Sequence, residues 1–225
     1  MSLKNNYPHP YVAREGHPYI ILVLLIAWGV SLLDCQILDL FMYLFTALIV
    51  QFFRDPPRNL ADENEDSVVA PADGKVIVVQ KTVDPYRRQE ALQISIFMNI
   101  FNVHSNRMPL AGKVQEVRYF PGNFVNASLD KASKENERNA VLFQTPQGEE
   151  VTVVQIAGLI ARRILCYCRA GDEVSRGERY GFIRFGSRVD LYLPVDARPC
   201  VVIGDKVRAT SSVLAYLKAS SEDKH

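Results

Sequence analysis

The sequence predicts a mainly β protein, an antiparallel β-sandwich or barrel-like domain preceded by an N-terminal hydrophobic helical hairpin. Two observations support this prediction. From Ser67 onward, short β-like runs alternate with turns and leave little room for crossover helices. The first quarter instead contains two long apolar runs. Since 225 residues allow one sizeable core plus an appendage, we expect a hairpin and linker over 1–58 and a β-rich domain over 59–225.

The two apolar runs extend from Tyr19 to Leu33 and from Ile37 to Phe53. Each is shorter than the roughly 20 residues of a straight membrane span, so a shallow, non-spanning hairpin is included in the expectation. The basic residues Lys4, Arg14, Arg54 and Arg58 lie outside the two runs. The acidic residues Asp34 and Asp39 lie at or near the tip of the hairpin. This charge pattern places the β-rich domain on the cytoplasmic side of the cell membrane.

Two other interpretations of the apolar runs are open. A cleaved signal peptide is disfavoured by the long N-terminal region, which contains Pro8 and Pro18, and by the lack of a small-residue cleavage site. A helical hairpin buried in a soluble core is the second alternative. After the second run, the proline pair in RDPPRNL ends the helix, and residues 54–66 are expected to form a linker.

Composition excludes several classes of function. With 26 basic and 25 acidic residues, the net charge of +1 does not indicate a nucleic-acid partner. The four cysteines, Cys35, Cys166, Cys168 and Cys200, form no disulfide framework, and we expect ordinary reduced thiols. His104 is the only histidine between the hairpin and the C-terminus, so it cannot build a three-histidine zinc site and no metal is expected.

Two segments of the β-rich region carry further structural information. Residues 170–183 and 203–217 share a Gly-Asp-x-Val turn followed by an apolar strand, and this repeat resembles the turns of lipoyl- and biotin-carrier domains. Neither copy has the modified lysine turn of a carrier, so the repeat predicts a fold and not a carrier function. The polar stretch 126–139 is expected to be a surface loop or short helix.

Three positions combine reactive side chains with unusual local sequence. His104 follows an apolar strand and lies among polar residues, although a lone histidine is commonly structural. Asp73 precedes a glycine, which by itself favours a tight turn. Gly186 and Ser187 interrupt a long β run. That interruption indicates either a structural bulge or a strained peptide bond whose carbonyl is open to the neighbouring hydroxyl.

Five motifs together resemble one enzyme family. They are VVAPADGKV, NIFNVHSNRMPLAGKV, FPGNFVNASLDKASKENERN, QIAGLIARRI and RFGSRVDLYLP. In this order and spacing they are similar to the short bacterial and archaeal branch of the phosphatidylserine decarboxylase proenzymes, and the resemblance extends from about residue 7 to about residue 217. It favours a catalytic interpretation of Asp73, His104 and Ser187.

The resemblance implies that the chain cuts itself between Gly186 and Ser187. The products are a β chain, 1–186, and an α chain, 187–225, whose Ser187 becomes a pyruvoyl cofactor. This group forms a Schiff base with phosphatidylserine, which loses CO2 and becomes phosphatidylethanolamine. Asp73 is expected to act as a base, and His104 to serve cleavage or catalysis. The longer branch of the family has a second histidine in this motif. Here Arg107 lies nearby instead, so the third member of the self-cleavage triad stays open.

Partners and alternatives complete the expectations. The substrate is a phospholipid in the membrane, and its phosphate needs cationic donors, for which the candidates are Arg107, Arg138, Arg162 and Arg163. The two chains form a heterodimer, and exposed sheet edges favour a homo-oligomer.

Three alternative functions are open. They are a membrane-tethered non-catalytic β-sandwich adaptor, a serine hydrolase that keeps Ser187, His104 and Asp73 as a catalytic triad, and a decarboxylase of an archaeal-type seryl phospholipid.

Overall fold

The computed structural model describes residues 11–124, 126–128, 135–158, 163–184 and 186–217. These residues form two compact units. The helical unit comprises 11–57 and 101–103, and the β unit comprises 58–100 and 104–217. The mainly β class and the helical N-terminal segment are confirmed. The assignment of the first 58 residues to a membrane-anchoring domain stays a prediction.

The helical unit is a hairpin of two packed helices, α1 over His17–Ser31 and α2 over Gln36–Phe52, preceded by a short 3-10 helix over Arg14–Gly16. Its base is closed where the Tyr19 ring stacks on Phe53 with a centroid separation of 5.5 Å. Most apolar side chains of both helices are exposed, including Trp28 at 67% and Phe41 at 65%. No helix within the described residues is both long and apolar enough to cross a bilayer.

The β unit contains one large sheet and two small ones. The strands described are β1 Ser67–Val69, β2 Gly74–Val83, β3 Glu90–Met98, β4 Ser105–Arg107, β5 Gly112–Phe120, β6 Arg138–Gln144, β7 Glu150–Ala157, β8 Ile164–Cys166, β9 Glu173–Val174, β10 Arg179–Ile183, β11 Ser187–Pro194, β12 Arg198–Pro199, β13 Lys206–Val207 and β14 Val213–Tyr216. The large sheet is antiparallel with the order β13-β2-β3-β11-β7-β6-β5-β9, and it curls into a half-barrel. The small sheets have the orders β1-β14-β12 and β4-β10-β8.

The large sheet buries side chains on both of its faces. Because side chains alternate along a strand, Val189 and Leu191 of β11 point into the main hydrophobic core and Ser187 belongs to the same face. Arg188 and Asp190 point to the opposite face, which carries a smaller apolar cluster. Strand β11 is therefore central and buried on both sides, as its nearly continuous burial shows.

The repeat noticed in the sequence forms two equivalent turns at the two edges of the large sheet. Gly171 and Gly204 both have positive φ, +93° and +108°, which favours glycine. The Gly171 amide donates to Val114 O at 2.8 Å, and the Gly204 amide donates to Val76 O at 2.9 Å. The short strands that follow, β9 and β13, pair with β5 and β2. Each copy therefore extends one edge of the half-barrel in the same way.

The segment 126–139, expected to be a surface loop or short helix, is described only at 126–128 and 135–139, so that expectation stays a prediction. Among its described residues, Ala127 and Asn136 are buried, and β6 begins at Arg138. The Asn136 side-chain amide donates to Ala157 O at 2.7 Å. Asn136 therefore ties the start of β6 to the end of β7, and residues 129–134 lie outside the described part of the chain.

Candidate active site

Ser187 is the first residue of the central strand β11, where it pairs with Met98 of β3 on one side and Ala157 of β7 on the other. The serine is fully buried, and its Oγ lies 3.9 Å from Met98 Sδ. A thioether sulfur is a weak hydrogen-bond acceptor, so this contact holds the hydroxyl only loosely. The buried hydroxyl thus has no strong acceptor among the described residues.

The peptide bond before Ser187 has an unusual backbone environment. Gly186 has φ of +59°, in the left-handed region that disfavours residues with a Cβ. On the neighbouring strand end, Gly158 approaches the Gly186 carbonyl so closely that a Cβ at position 158 would lie 1.8 Å from the carbonyl oxygen. The two glycines have different roles, because a Cβ at position 186 itself would meet open space. Gly186 supplies the backbone angle, and Gly158 supplies the room.

Asp73 immediately precedes β2, which pairs with β3 on the side away from β11. Since β2 and β11 both run antiparallel to β3, their first residues flank the end of β3 at Met98. The Asp73 carboxylate accepts hydrogen bonds from the Arg58 guanidinium at 2.7 Å and the Ala209 amide at 2.8 Å. The sequence indicated Arg58 only as a charge that flanks the hairpin, and its ion pair with Asp73 was not predicted.

His104 directly precedes β4 and is fully buried. Its carbonyl accepts a hydrogen bond from the Ile183 amide at 3.3 Å, and its ring lies 6.4 Å from the Phe182 ring, centroid to centroid. Ile183 ends β10, and β11 starts four residues later at Ser187. These contacts bring His104 to the segment of chain that leads into the candidate cleavage bond.

Arg107 is the candidate phosphate ligand that is bonded to the loop carrying Asp73. Its backbone amide donates to Pro71 O at 2.9 Å, in the loop that carries Asp73. The side chain is buried, and its Nη1 donates to Gly177 O at 3.3 Å. Burial, together with the neighbouring Arg179 charge, lowers the pKa of Arg107 to about 10. A second buried cation beside it makes this part of the β unit favourable for an anion.

The other candidate arginines are placed differently. Arg138 belongs to the sheet face opposite Ser187, and its guanidinium lies 4.6 Å from the centroid of the Phe120 ring. The structure therefore does not bring Arg138 to Ser187. Arg163 is exposed, and its carbonyl accepts from the Arg184 amide at 3.4 Å. Arg162 lies outside the described residues.

The predicted residues did not include the buried carboxamides near Ser187. Asn106 and Gln155 hydrogen-bond to each other, with Gln155 Nε2 donating to Asn106 Oδ1 at 2.9 Å. Asn106 Nδ2 in turn lies 3.9 Å from the Met98 sulfur that contacts Ser187. A sequence signal existed for each: Asn106 lies in the same motif as His104, and Gln155 interrupts the apolar strand VTVVQIA.

Two other features include none of the predicted catalytic residues. Cys166 and Cys168 are free thiols with sulfurs 3.4 Å apart, and their mutual hydrogen bond lowers the pKa of Cys166 and raises that of Cys168. A cleft of about 310 Å³ is lined by residues that include Leu60, Leu110 and Arg176. None of the predicted catalytic residues lines this cleft.

Comparisons with known proteins agree with the geometry. The family profile described as phosphatidylserine decarboxylase matches residues 45–215. The chain is 57% identical over 213 residues to phosphatidylserine decarboxylase proenzymes of Cupriavidus taiwanensis and Cupriavidus pinatubonensis, covering 94% of this chain and 98% of each relative. A proenzyme of the same name from Burkholderia pseudomallei is 57% identical over 212 residues, with the same coverage. The chain therefore belongs to the phosphatidylserine decarboxylase family.

Proposed function

We propose that this chain is a proenzyme that cleaves itself between Gly186 and Ser187 and then converts phosphatidylserine to phosphatidylethanolamine and CO2. The observation that carries the proposal is the Gly186–Ser187 bond itself. A buried serine hydroxyl follows a left-handed glycine whose carbonyl is closely approached by Gly158. Membership of the family supplies the reaction, and the resulting α chain carries a pyruvoyl group at position 187.

Maturation begins when the Ser187 hydroxyl attacks the Gly186 carbonyl. A bond forms from Oγ to the carbonyl carbon, the carbon–nitrogen bond breaks, and the hydroxyl proton passes to the freed amine, leaving an ester. Loss of the Ser187 α-proton then breaks the Cβ–Oγ bond and releases the β chain as a carboxylate. The remaining dehydroalanine takes up water, loses ammonia and becomes the pyruvoyl group.

Asp73 and His104 are the proposed proton carriers for these steps. Asp73 immediately precedes β2, which lies on the far side of β3 from β11, and its carboxylate oxygens each accept from Arg58 or Ala209. A carboxylate with further lone pairs can still accept a proton. His104 lies beside the segment that enters Ser187, which suits proton transfer during cleavage or during the decarboxylation cycle.

The pyruvoyl group, once formed, supplies an electron-withdrawing carbonyl that stabilises the negative charge left by departing CO2. The chain's own residues bind and orient the substrate. Arg107 is the proposed ligand of the lipid phosphate, because it is buried next to a second arginine and attached to the Asp73 loop. Arg162 and Arg163 are weaker proposals, and Arg138 is not retained, since it lies on the other sheet face.

The helical unit is the proposed membrane anchor. Its apolar side chains are exposed around both helices, an arrangement that is stable when lipid covers them. We place the β unit on the cytoplasmic face of the cell membrane because of the charges that flank the hairpin.

The two chains from cleavage remain together as a heterodimer, since β11 of the α chain lies between β3 and β7 of the β chain.

Replacement of the proposed nucleophile tests the proposal. Ser187→Ala removes the only atom that can attack the Gly186 carbonyl in this scheme, so the variant is expected to remain one chain without decarboxylase activity. Chain length is measured by denaturing gel and activity by CO2 release from phosphatidylserine vesicles. Ser211→Ala, an exposed serine elsewhere in the β unit, is the control. A Ser187→Ala chain that is still cut would refute the scheme.

His104→Ala separates the two roles proposed for the histidine. If the variant cleaves itself and fails to release CO2, His104 acts in the decarboxylation cycle. If cleavage also stops, His104 acts in maturation. Normal cleavage together with normal CO2 release would remove His104 from the proposal.

A further inference from the structure

A chain of buried carboxamides connects β6, β7 and β4 and ends beside Ser187. Asn139 Nδ2 donates to Gln155 Oε1 at 3.3 Å, and Gln155 Nε2 donates to Asn106 Oδ1 at 2.9 Å. All three residues are buried. Asn106 Nδ2 then lies 3.9 Å from Met98 Sδ, the same sulfur that Ser187 Oγ contacts at 3.9 Å.

The direction of this chain is fixed by a backbone group. Gln155 Nε2 also donates to the carbonyl of Leu165 at 3.2 Å, and a carbonyl oxygen can only accept. The Gln155 amide nitrogen must therefore face Leu165 and Asn106, so Asn106 must present its oxygen to Gln155. Asn106 consequently directs its NH2 group toward Met98 and Ser187.

A glycine makes room for this arrangement. Gly181 of β10 pairs with Asn106 of β4, and a Cβ at position 181 would lie 2.4 Å from Gln155 Nε2 and 2.4 Å from Leu165 O. Only a residue without a side chain lets the Gln155 amide cross β10 to reach Asn106. Gly181 therefore leaves room for the Gln155 amide between Leu165 and Asn106.

The NH2 group of Asn106 has a weak acceptor in this state. A buried amide donor next to a thioether forgoes most of the free energy of a normal hydrogen bond. The stronger acceptor available in this region is the oxygen of Ser187, which gains negative charge as its proton leaves and again when the Cβ–Oγ bond breaks. Methionine side chains are flexible, so the Met98 side chain can move and let the Asn106 NH2 group approach the Ser187 oxygen.

We propose that Asn106, oriented by Gln155, donates a hydrogen bond to the Ser187 oxygen during self-cleavage. This inference rests on the proposed function and adds a residue that stabilises the reacting oxygen. Oriented amide donors of this kind contribute roughly 100-fold or more to rates when charge develops on an oxygen. The effect belongs to maturation, because Ser187 Oγ leaves with the β chain.

The test compares the self-cleavage rates of full-length variants made by cell-free synthesis in the presence of phospholipid vesicles. Asn106→Asp keeps the size of the side chain and removes its donor, and cleavage is expected to slow roughly 100-fold. Gln155→Leu keeps Asn106 but frees its amide to rotate, and is expected to slow cleavage about tenfold. Gln144→Leu removes a half-buried carboxamide at the opposite end of β6 from Asn139, where it donates to Gly148 O, and is expected to cleave at the wild-type rate.

Hydroxylamine, which cleaves esters, provides a second readout that a merely structural role would not change. If Asn106 assists attack, hydroxylamine-sensitive ester does not accumulate in Asn106→Asp; if it assists elimination, the ester accumulates. Cleavage of Asn106→Asp at the wild-type rate overturns the inference. If that variant does not fold, as judged by its thermal melt, wild-type cleavage of Gln155→Leu overturns it instead. Failure of the wild-type chain to cleave would count against the proposed function.

Discussion

At the scale of single residues, two glycines prepare the bond between positions 186 and 187. Gly186 adopts a positive φ of +59°, and Gly158 lies against its carbonyl. Backbone this close to a carbonyl fixes its direction more firmly than a side chain would, because backbone cannot change rotamer. The Ser187 hydroxyl, by contrast, has only a thioether as hydrogen-bond acceptor among the described residues, and this weak bond leaves it free to turn toward the carbonyl.

Gly158→Ala tests the role of close backbone approach. The added Cβ would lie 1.8 Å from the Gly186 oxygen, so the strand ends must separate. Overpacking of this kind costs about 1–3 kcal/mol, and we expect self-cleavage to slow by about tenfold or more as the carbonyl moves. The rate is measured by the appearance of the short chain on a gel. Gly29→Ala, where a Cβ meets nothing within 4 Å, serves as control, and equal rates for both variants would contradict the account.

From the sequence alone, Asp73, His104, Gly186 and Ser187 were predicted as site residues, because each lies in a motif that resembles the family. The sequence did not identify the Arg58–Asp73 contact or the approach of Gly158 to Gly186. Both depend on which strands become neighbours, and no local pattern encodes that pairing. Arg138, by contrast, was predicted as a phosphate ligand from its charge, and the register of β6 places it on the sheet face opposite Ser187.

At the scale of elements, strand β11 is held by a buried ion pair on the face opposite Ser187. Arg188 Nε donates to Asp190 Oδ1 at 2.5 Å, and Arg188 Nη2 donates to Ser95 Oγ of β3 at 3.0 Å. Both charged residues are at most 2% exposed. A slip of β11 by one residue would bring these charges into the main core, so the pair helps to fix the register that places Ser187 beside Met98.

Removal of one member of this pair is expected to destabilise the fold strongly. Asp190→Leu leaves the Arg188 charge buried without its carboxylate, and such a loss costs about 3–5 kcal/mol. Urea unfolding in the Ser187→Ala background, where the chain stays intact, measures the free energy. Arg188→Met combined with Asp190→Leu removes both charges and is expected to recover most of the loss. A double variant as unstable as the single one would show that the pair is not the cause.

The two edge turns show how far local sequence predicts an element. The Gly-Asp-x-Val repeat predicted two similar turns, and both form with the same backbone hydrogen bonds to β5 and β2. Local sequence did not show that the copies lie at opposite edges of one sheet, since that requires the order of all eight strands. Likewise, local sequence did not show that Asn136, in the polar segment 126–139, donates to Ala157 O at the end of β7.

At the scale of the whole molecule, the chain combines a reactive β unit with a helical unit whose apolar surface is exposed. Leu25 and Phe41, on α1 and α2, are 59% and 65% exposed. Exposed apolar area on this scale is typical of a surface that another apolar phase covers. For an enzyme whose substrate resides in a bilayer, we infer that this phase is the membrane.

Charged residues in the hairpin are expected to weaken membrane binding without affecting the β unit. Each of Leu25 and Phe41 contributes about 1.5–3 kcal/mol when fully buried in an apolar phase. Leu25→Glu with Phe41→Glu should therefore reduce vesicle partitioning by at least about tenfold in a flotation assay. Tyr119→Glu, which changes an exposed aromatic residue of the β unit, should float like the wild type. Undiminished flotation of the double variant would contradict the assignment of the hairpin as anchor.

Intact mass spectrometry of the purified, denatured protein tests directly whether the chain cuts itself before Ser187. We expect two chains that divide between Gly186 and Ser187, with a pyruvoyl group at the start of the shorter chain in place of Ser187. Incubation with phosphatidylserine vesicles before denaturation completes any slow maturation. A single unmodified chain of 25.4 kDa after that incubation would contradict the account.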